Sequence, residues 1–142
     1  MNTRQSLDQF REEIKAEVKA KTIELTTKGF KRLVHLSPYK YGSYILSHRI
    51  GINSADNSFT IMPNLAELSK EKQEGAPKIG RAAAKAKAKT EQLKKIPTIK
   101  AFDSIYLTNN VPHGLLIETG SWSSQAPLGV YSLVKIELAG IK

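Results

Sequence analysis

Apolar residues return at steps of three and four along the first part of the chain: Leu7, Phe10, Ile14 and Val18, then Ile23, Leu25, Phe30, Leu33 and Val34. That period predicts one long helix over residues 3 to about 35, with Glu12, Glu13, Lys15, Glu17 and Lys19 on its other faces and a more buried second half. Pro38 ends it, and residues 39–42 reverse the chain. From Tyr44 to Asn53 the period falls to two, which predicts a strand turning Tyr44, Leu46, His48, Ile50 and Ile52 toward the helix. Residues 54–58 read as a turn, 59–62 as the return strand of a hairpin, and 63–78 as an extended loop with room for one helical turn. The Ala/Lys run from Arg81 to Lys95 is intrinsically helical but carries almost no apolar stripe, so it has little to bury within its own subunit. Ile105 and Leu107 alternate with Tyr106 and Thr108, and Leu115, Ile117 and Thr119 with Leu116 and Glu118, predicting two short strands around an Asn109-Asn110-Val111-Pro112 corner. Residues 130–141 fit a short helix better than a strand. The class that follows is α+β: a long N-terminal helix packed on a small antiparallel sheet, with residues 63–100 as a basic, helical or extended insertion.

Length and composition narrow this further. At 142 residues, 40% hydrophobic and 25% charged, the chain has the size and make-up of one globular domain spanning residues 1–142. It has no cysteine, which excludes disulfides and thiolate chemistry and suits a reducing compartment. Its first residues lack the apolar run of a secretory signal, and no stretch reaches the ~20 apolar residues that span a bilayer, so no membrane partner is expected. The charge is unevenly placed. Residues 70–100 hold ten Lys or Arg against three Glu, or +7 of the net +9, which describes a basic arm on a near-neutral body.

Two segments carry a family signature. Ile105-Tyr-Leu-Thr-Asn-Asn-Val-Pro-His-Gly114, Ile117-Glu-Thr-Gly-Ser121 and Ser124-Gln-Ala-Pro-Leu-Gly129 resemble the neck or tail-completion (head-to-tail joining) proteins of long-tailed bacteriophages. In those an Asn-Asn-x-Pro-Tyr-Ala turn leads to a Glu-x-Gly strand end and a Ser-x-Gln-Ala-Pro-x-Gly loop. Upstream, Ser37-Pro-Tyr-Lys-Tyr-Gly-Ser-Tyr44 is similar to the family's Ser-Pro-x-x-Thr-Gly-x-Leu segment. Tyr41 stands where Thr is usual, and His113-Gly114 stands for Tyr-Ala. The resemblance covers the chain from about Ser37 to its end. It implies a non-enzymatic virion structural protein, assembled in the host cytoplasm and resident in the neck, whose copies form a homo-oligomeric ring (hexamer favoured, dodecamer allowed) joining head to tail. The implied partners are adjacent head-completion or connector proteins, tail-terminator or tail-tube proteins, and the genomic DNA passing through the lumen. It marks Asn109, Asn110, Pro112, Glu118, Gly120, Trp122, Gln125 and Pro127 as subunit-contact positions, and Lys78, Arg81, Lys85, Lys87, Lys89, Lys94 and Lys95 as electrostatic contacts to a partner or to DNA.

Taken residue by residue, the chemistry is sparse. His35, His48 and His113 lack metal-ligand spacing, and Gly75-Ala-Pro-Lys-Ile-Gly-Arg81 has Arg where a phosphate loop needs Lys, so no metal, cofactor or catalytic residue is expected. Glu118 reads as a solvated strand residue or, through the resemblance, as a carboxylate across a ring interface; in either case Glu118→Gln should leave the monomer folded. Trp122 fits core burial and interface anchoring about equally. The Lys/Ala segment fits a solvated helix, a phosphate-binding surface or an arm ordered against an acidic ring. A small basic DNA-binding protein, sequence-independent, is the alternative function.

Overall fold

In the computed structural model, which describes residues 2–64, 67–120, 124–126 and 128–141, the chain is organised around its first helix. α1 runs from Thr3 to Leu36, opened by a capping box in which the Asn2 side chain accepts from the Gln5 N–H while the Gln5 side chain accepts from the Asn2 N–H. Only its second half is buried, through Thr26, Gly29, Phe30, Leu33 and Val34. Ser37 ends it, its hydroxyl donating to Leu33 O at 2.6 Å. Gly42, in the left-handed region at φ 96°, launches the short α2, Ser43–Leu46.

β1 (His48–Ile52) and β2 (Ile105–Asn109) pair antiparallel, His48 opposite Asn109 and Ile52 opposite Ile105. Between them come α3 (Lys70–Gly75), α4 (Arg81–Leu93) and a 3₁₀ turn, Ile96–Thr98. After β2 come α5 (Gly114–Glu118) and α6 (Tyr131–Ala139). The α+β class is as the pattern predicts: a long helix against a small two-stranded antiparallel sheet. Two apolar clusters flank α1. One joins Phe30 and Val34 to Ile45, Leu46, Ile50, Ala84 and Ala88; the other joins Leu33 to Tyr44, Val111, Ile117, Ala126, Val130 and Val134. Gly29 lets α6 and β2 approach, since a Cβ there would stand 3.0 Å from Leu138 Cδ1 and 3.3 Å from Leu107 Cδ1.

Four expectations change. The strand predicted from Tyr44 begins only at His48; Gly42, at positive φ, opens a helical turn over Ser43–Leu46, its O accepting from Leu46 N at 2.9 Å, and that turn buries Tyr44, Ile45 and Leu46. Residues 59–62 form no ladder; Thr60 N donates to Ser47 Oγ and Met62 N to Ser43 Oγ, so two serine hydroxyls take the place of a hairpin partner. The strand predicted at 115–119 is α5, and β2 pairs with β1 instead; of its apolar residues Ile117 is buried while Leu115 and Leu116 face outward. The Ala/Lys helix does bury a face. Ala84, Ala88 and Gln92, each four residues apart, pack inward, and Gln92 Oε1 accepts from Ile50 N at 3.0 Å. Alanine is a weak hydrophobe in a periodicity count, but its size admits close helix approach.

Candidate functional site

The upstream and downstream motif segments meet. Gln125, in the second, uses both ends of its amide on Tyr39 of the first: Oε1 accepts from Tyr39 N at 2.8 Å and Nε2 donates to Tyr39 O at 3.0 Å. The side chain thus reproduces the paired bonding of a strand neighbour. Ser37, at the head of the same segment, reaches His48 Nε2 at 2.6 Å. Because the Ser37 hydroxyl already donates to Leu33 O, it must accept from Nε2–H. His48 Nδ1 is therefore the bare nitrogen. It accepts from the Tyr131 hydroxyl at 2.8 Å, with Asn109 Nδ2 a longer neighbour at 3.3 Å. The ring is fully buried, and burial, then the neighbouring Arg49 charge, pull its pKa down to about 3, in keeping with a neutral ring. Burial likewise pushes the Tyr44 and Tyr131 phenols up.

Glu118 is the second organising group. It ends α5 and aims its carboxylate at the N-terminus of α6, where Oε2 accepts from Val130 N (3.0 Å) and Tyr131 N (2.9 Å) and Oε1 from Ser132 N (2.7 Å) and the Ser132 hydroxyl (2.6 Å). A helix N-terminus leaves N–H groups without internal partners and favours negative charge, and a single distant carboxylate meets both needs. Burial alone would raise its pKa. The Ser132 hydroxyl and the backbone N–H groups of Tyr131, Val130 and Ser132 outweigh that and hold it below the ordinary value. Gly129 is required there: at φ 79°, its Cβ would lie 2.5 Å from Glu118 O. Gly120, at φ 77°, turns the chain out of α5.

The remaining motif positions divide. Asn109 braces the corner from within, donating to Tyr44 O at 2.8 Å and accepting from Val111 N at 3.2 Å. Asn110 donates to Asn57 Oδ1 at 3.2 Å on the surface, and Pro112 is exposed. Trp122 and Pro127 lie outside the described residues. Leu115 and Leu116 on α5 and Leu128 beside Gly129 are 76%, 45% and 69% exposed, an apolar surface that the strand reading hides because it turns Leu115 inward with Ile117. A cleft of about 630 Å³ lies beside the Gln125–Tyr39 clamp, lined by Tyr39, Tyr41, Tyr44, Met62, His113 and Gln125 among others.

The basic residues also divide. Lys85 Nζ donates to His35 O at 2.9 Å and ties α4 to α1, while Lys95, just past the end of α4, donates from Nζ to Ile50 O at 2.8 Å and lies 3.3 Å from Asp56, so both are engaged within their own chain. Gln92 and Lys95 together occupy the N–H and C=O of Ile50 on the outer edge of β1. Lys78, Arg81, Lys87 and Lys94 are exposed, and Lys89 half-buried. Among the described residues no group of three or more His, Asp or Glu is placed to hold a metal ion, and no helix is long and apolar enough to cross a membrane.

Comparison of the chain with family models, with curated proteins and with solved structures finds no match. The family resemblance rests on the motif residues alone.

Proposed function

We propose that this chain is a non-enzymatic virion structural protein, a ring-forming neck or tail-completion subunit that joins a phage head to its tail. The observation that carries the reading is the Gln125–Tyr39 clamp, which brings together the two segments that resemble that family, 86 residues apart in sequence. The clamp sets the motif loop against the body of the fold, and the Glu118 carboxylate fixes the end of α5, with Leu115 and Leu116 turned outward. Exposed apolar side chains on a braced surface suit subunit contact. Asn110, Pro112 and Gly120 belong to that contact region, and the resemblance adds Trp122 and Pro127 to it, whereas Gln125, Glu118 and Asn109 act on it by holding its shape. The adjoining partners are head-completion or connector proteins on one side and tail-terminator or tail-tube proteins on the other, with genomic DNA in the lumen. Complementation tests this: a phage defective in this chain, supplied with Leu115→Glu protein, should yield separate heads and tails, and wild-type numbers of joined particles would refute the role of this surface.

The exposed cations Lys78, Arg81, Lys87 and Lys94 favour one other reading, a sequence-independent DNA-binding protein. In the ring reading any DNA binding is weak and falls steeply with salt. A preferred sequence that survives raised salt in an electrophoretic competition would reverse the order of the two.

A further inference from the structure

α1 is longer than the body it serves. From Asn2 to Glu17 every residue is exposed, yet this half carries Leu7, Phe10 and Ile14 at 54%, 58% and 36% exposure. At about 100° per residue, these three and Val18 fall within roughly 80° of one another on one side of the helix. The same arithmetic places the stripe roughly 120° around the axis from the centre of the face through which Thr26, Gly29, Phe30, Leu33 and Val34 enter the body. A stripe turned that way is no extension of the subunit's own core.

Its edges identify what covers it. One edge is acidic, with Glu13 and Glu17; the other is basic, with Arg4, Arg11 and Lys15. Arg11 and Lys15 reach Asp8 and Glu12 at 3.9 and 3.5 Å farther round the helix, but these are exposed pairs of small worth that can re-form with a neighbour. When two copies of such a helix lie stripe to stripe and run in the same direction, the acidic edge of each meets the basic edge of the other. When they run in opposite directions, like edges meet and repel. We infer that the N-terminal half of α1 is a self-association arm, and that its occupant is the same arm of a second copy, packed parallel. A stripe-to-stripe pair uses the same patch on both copies and closes as a two-fold dimer, whereas the contacts that close a ring of more than two copies join different patches; the arm contact is therefore separate from those that close the ring, and the inference rests on the ring reading only for the total number of copies.

The absence of native cysteine makes the test clean. Full-length Leu7→Cys and Ile14→Cys proteins, each oxidised separately by copper–phenanthroline, should each give a covalent dimer, while Gln9→Cys on the opposite face should not. Phe10→Glu should weaken self-association at least tenfold in sedimentation without changing the melting temperature measured at concentrations where both proteins are monomeric. Covalent dimer only when Leu7→Cys and Ile14→Cys proteins are mixed would mean antiparallel arms and would overturn the inference. A ring-sized species with no cross-link from any variant would overturn it while leaving the ring reading intact, the arm then belonging to a different protein. A monomer under all conditions, alone or with the adjoining neck proteins, would remove both.

Discussion

Replacing Glu118 by Gln changes one atom and should cost the subunit much of its margin of stability. The carboxylate accepts from three backbone N–H groups and one hydroxyl at the start of α6. A Gln amide keeps one oxygen and turns an NH₂ toward two of those donors. The retained oxygen serves one side of the fan, two donors lose their acceptor, and the favourable charge at the helix N-terminus disappears. Bonds to charged groups contribute about 1.5–3 kcal/mol each and the terminal charge about 0.3–1, but water reaches this half-exposed site and takes over part of the loss. A net cost of about 2–3 kcal/mol follows, which for a chain of this length lowers Tm by on the order of 8 °C. Differential scanning calorimetry and urea unfolding of the isolated chain measure it, with Ser132→Ala, which removes one of the four bonds, as a milder companion near 1 kcal/mol. The pH dependence has a fixed sign. The folded pKa of Glu118 is depressed, so its stabilisation is present above the unfolded carboxyl pKa and is lost as pH falls through the lowered folded value; Gln abolishes that part of the acid sensitivity. A Glu118→Gln protein melting within a degree of wild type would refute the assignment of Glu118 as the α6 cap and restore the expectation, drawn from the strand pattern, that the charge matters only between subunits.

Other outcomes follow from the same geometry. His48 is neutral when folded down to about pH 3, whereas the unfolded ring takes a proton near 6.5; stability should fall with decreasing pH between those values, with a slope approaching 1.4 kcal/mol per pH unit, and urea titrations should show that slope shrink in His48→Gln, His113 adding a smaller contribution of the same sign. Gly129→Ala should destabilise by about 2 kcal/mol or more, because the new Cβ meets Glu118 O at a positive φ, whereas Gly75→Ala, with open space around it, should not destabilise. Lys95→Ala should lower stability by about 1 kcal/mol through loss of its bond to Ile50 O, and Lys87→Ala should not; retention on a DNA column at low salt should show the reverse order.

What the chain's pattern made legible, and what it hid, has physical reasons. α1 and β2 carry clear periods and stand where the pattern puts them, as does α6. The pattern misleads where a short apolar run is buried on all sides, as at Tyr44–Leu46, since alternation cannot be separated from a consecutive run over so few residues. It misleads again at Gly114–Glu118, where Leu, Ile and Glu fit either state and the decision is made by a contact 14 residues away, Glu118 to Ser132. The Ala84–Ala88–Gln92 seam has a visible spacing of four, but the weak hydrophobicity of Ala conceals it. At the candidate site the motif residues were visible as letters, but not the division of labour among them: Gln125 as clamp and Glu118 as cap are long-range bonds, and long-range partners leave no local trace. The buried Ser37–His48–Tyr131 chain leaves no local trace for the same reason, with only the apolar alternation around His48 to point to burial.

The central claim, a ring of many copies at the head–tail joint, is met most directly by native mass spectrometry of the full-length chain mixed with the adjoining head-completion and tail-terminator proteins. The account predicts a discrete species holding a fixed integer multiple of the 15.7 kDa chain, six copies favoured. A chain that stays at 15.7 kDa in every mixture, with no co-migrating partner, contradicts it.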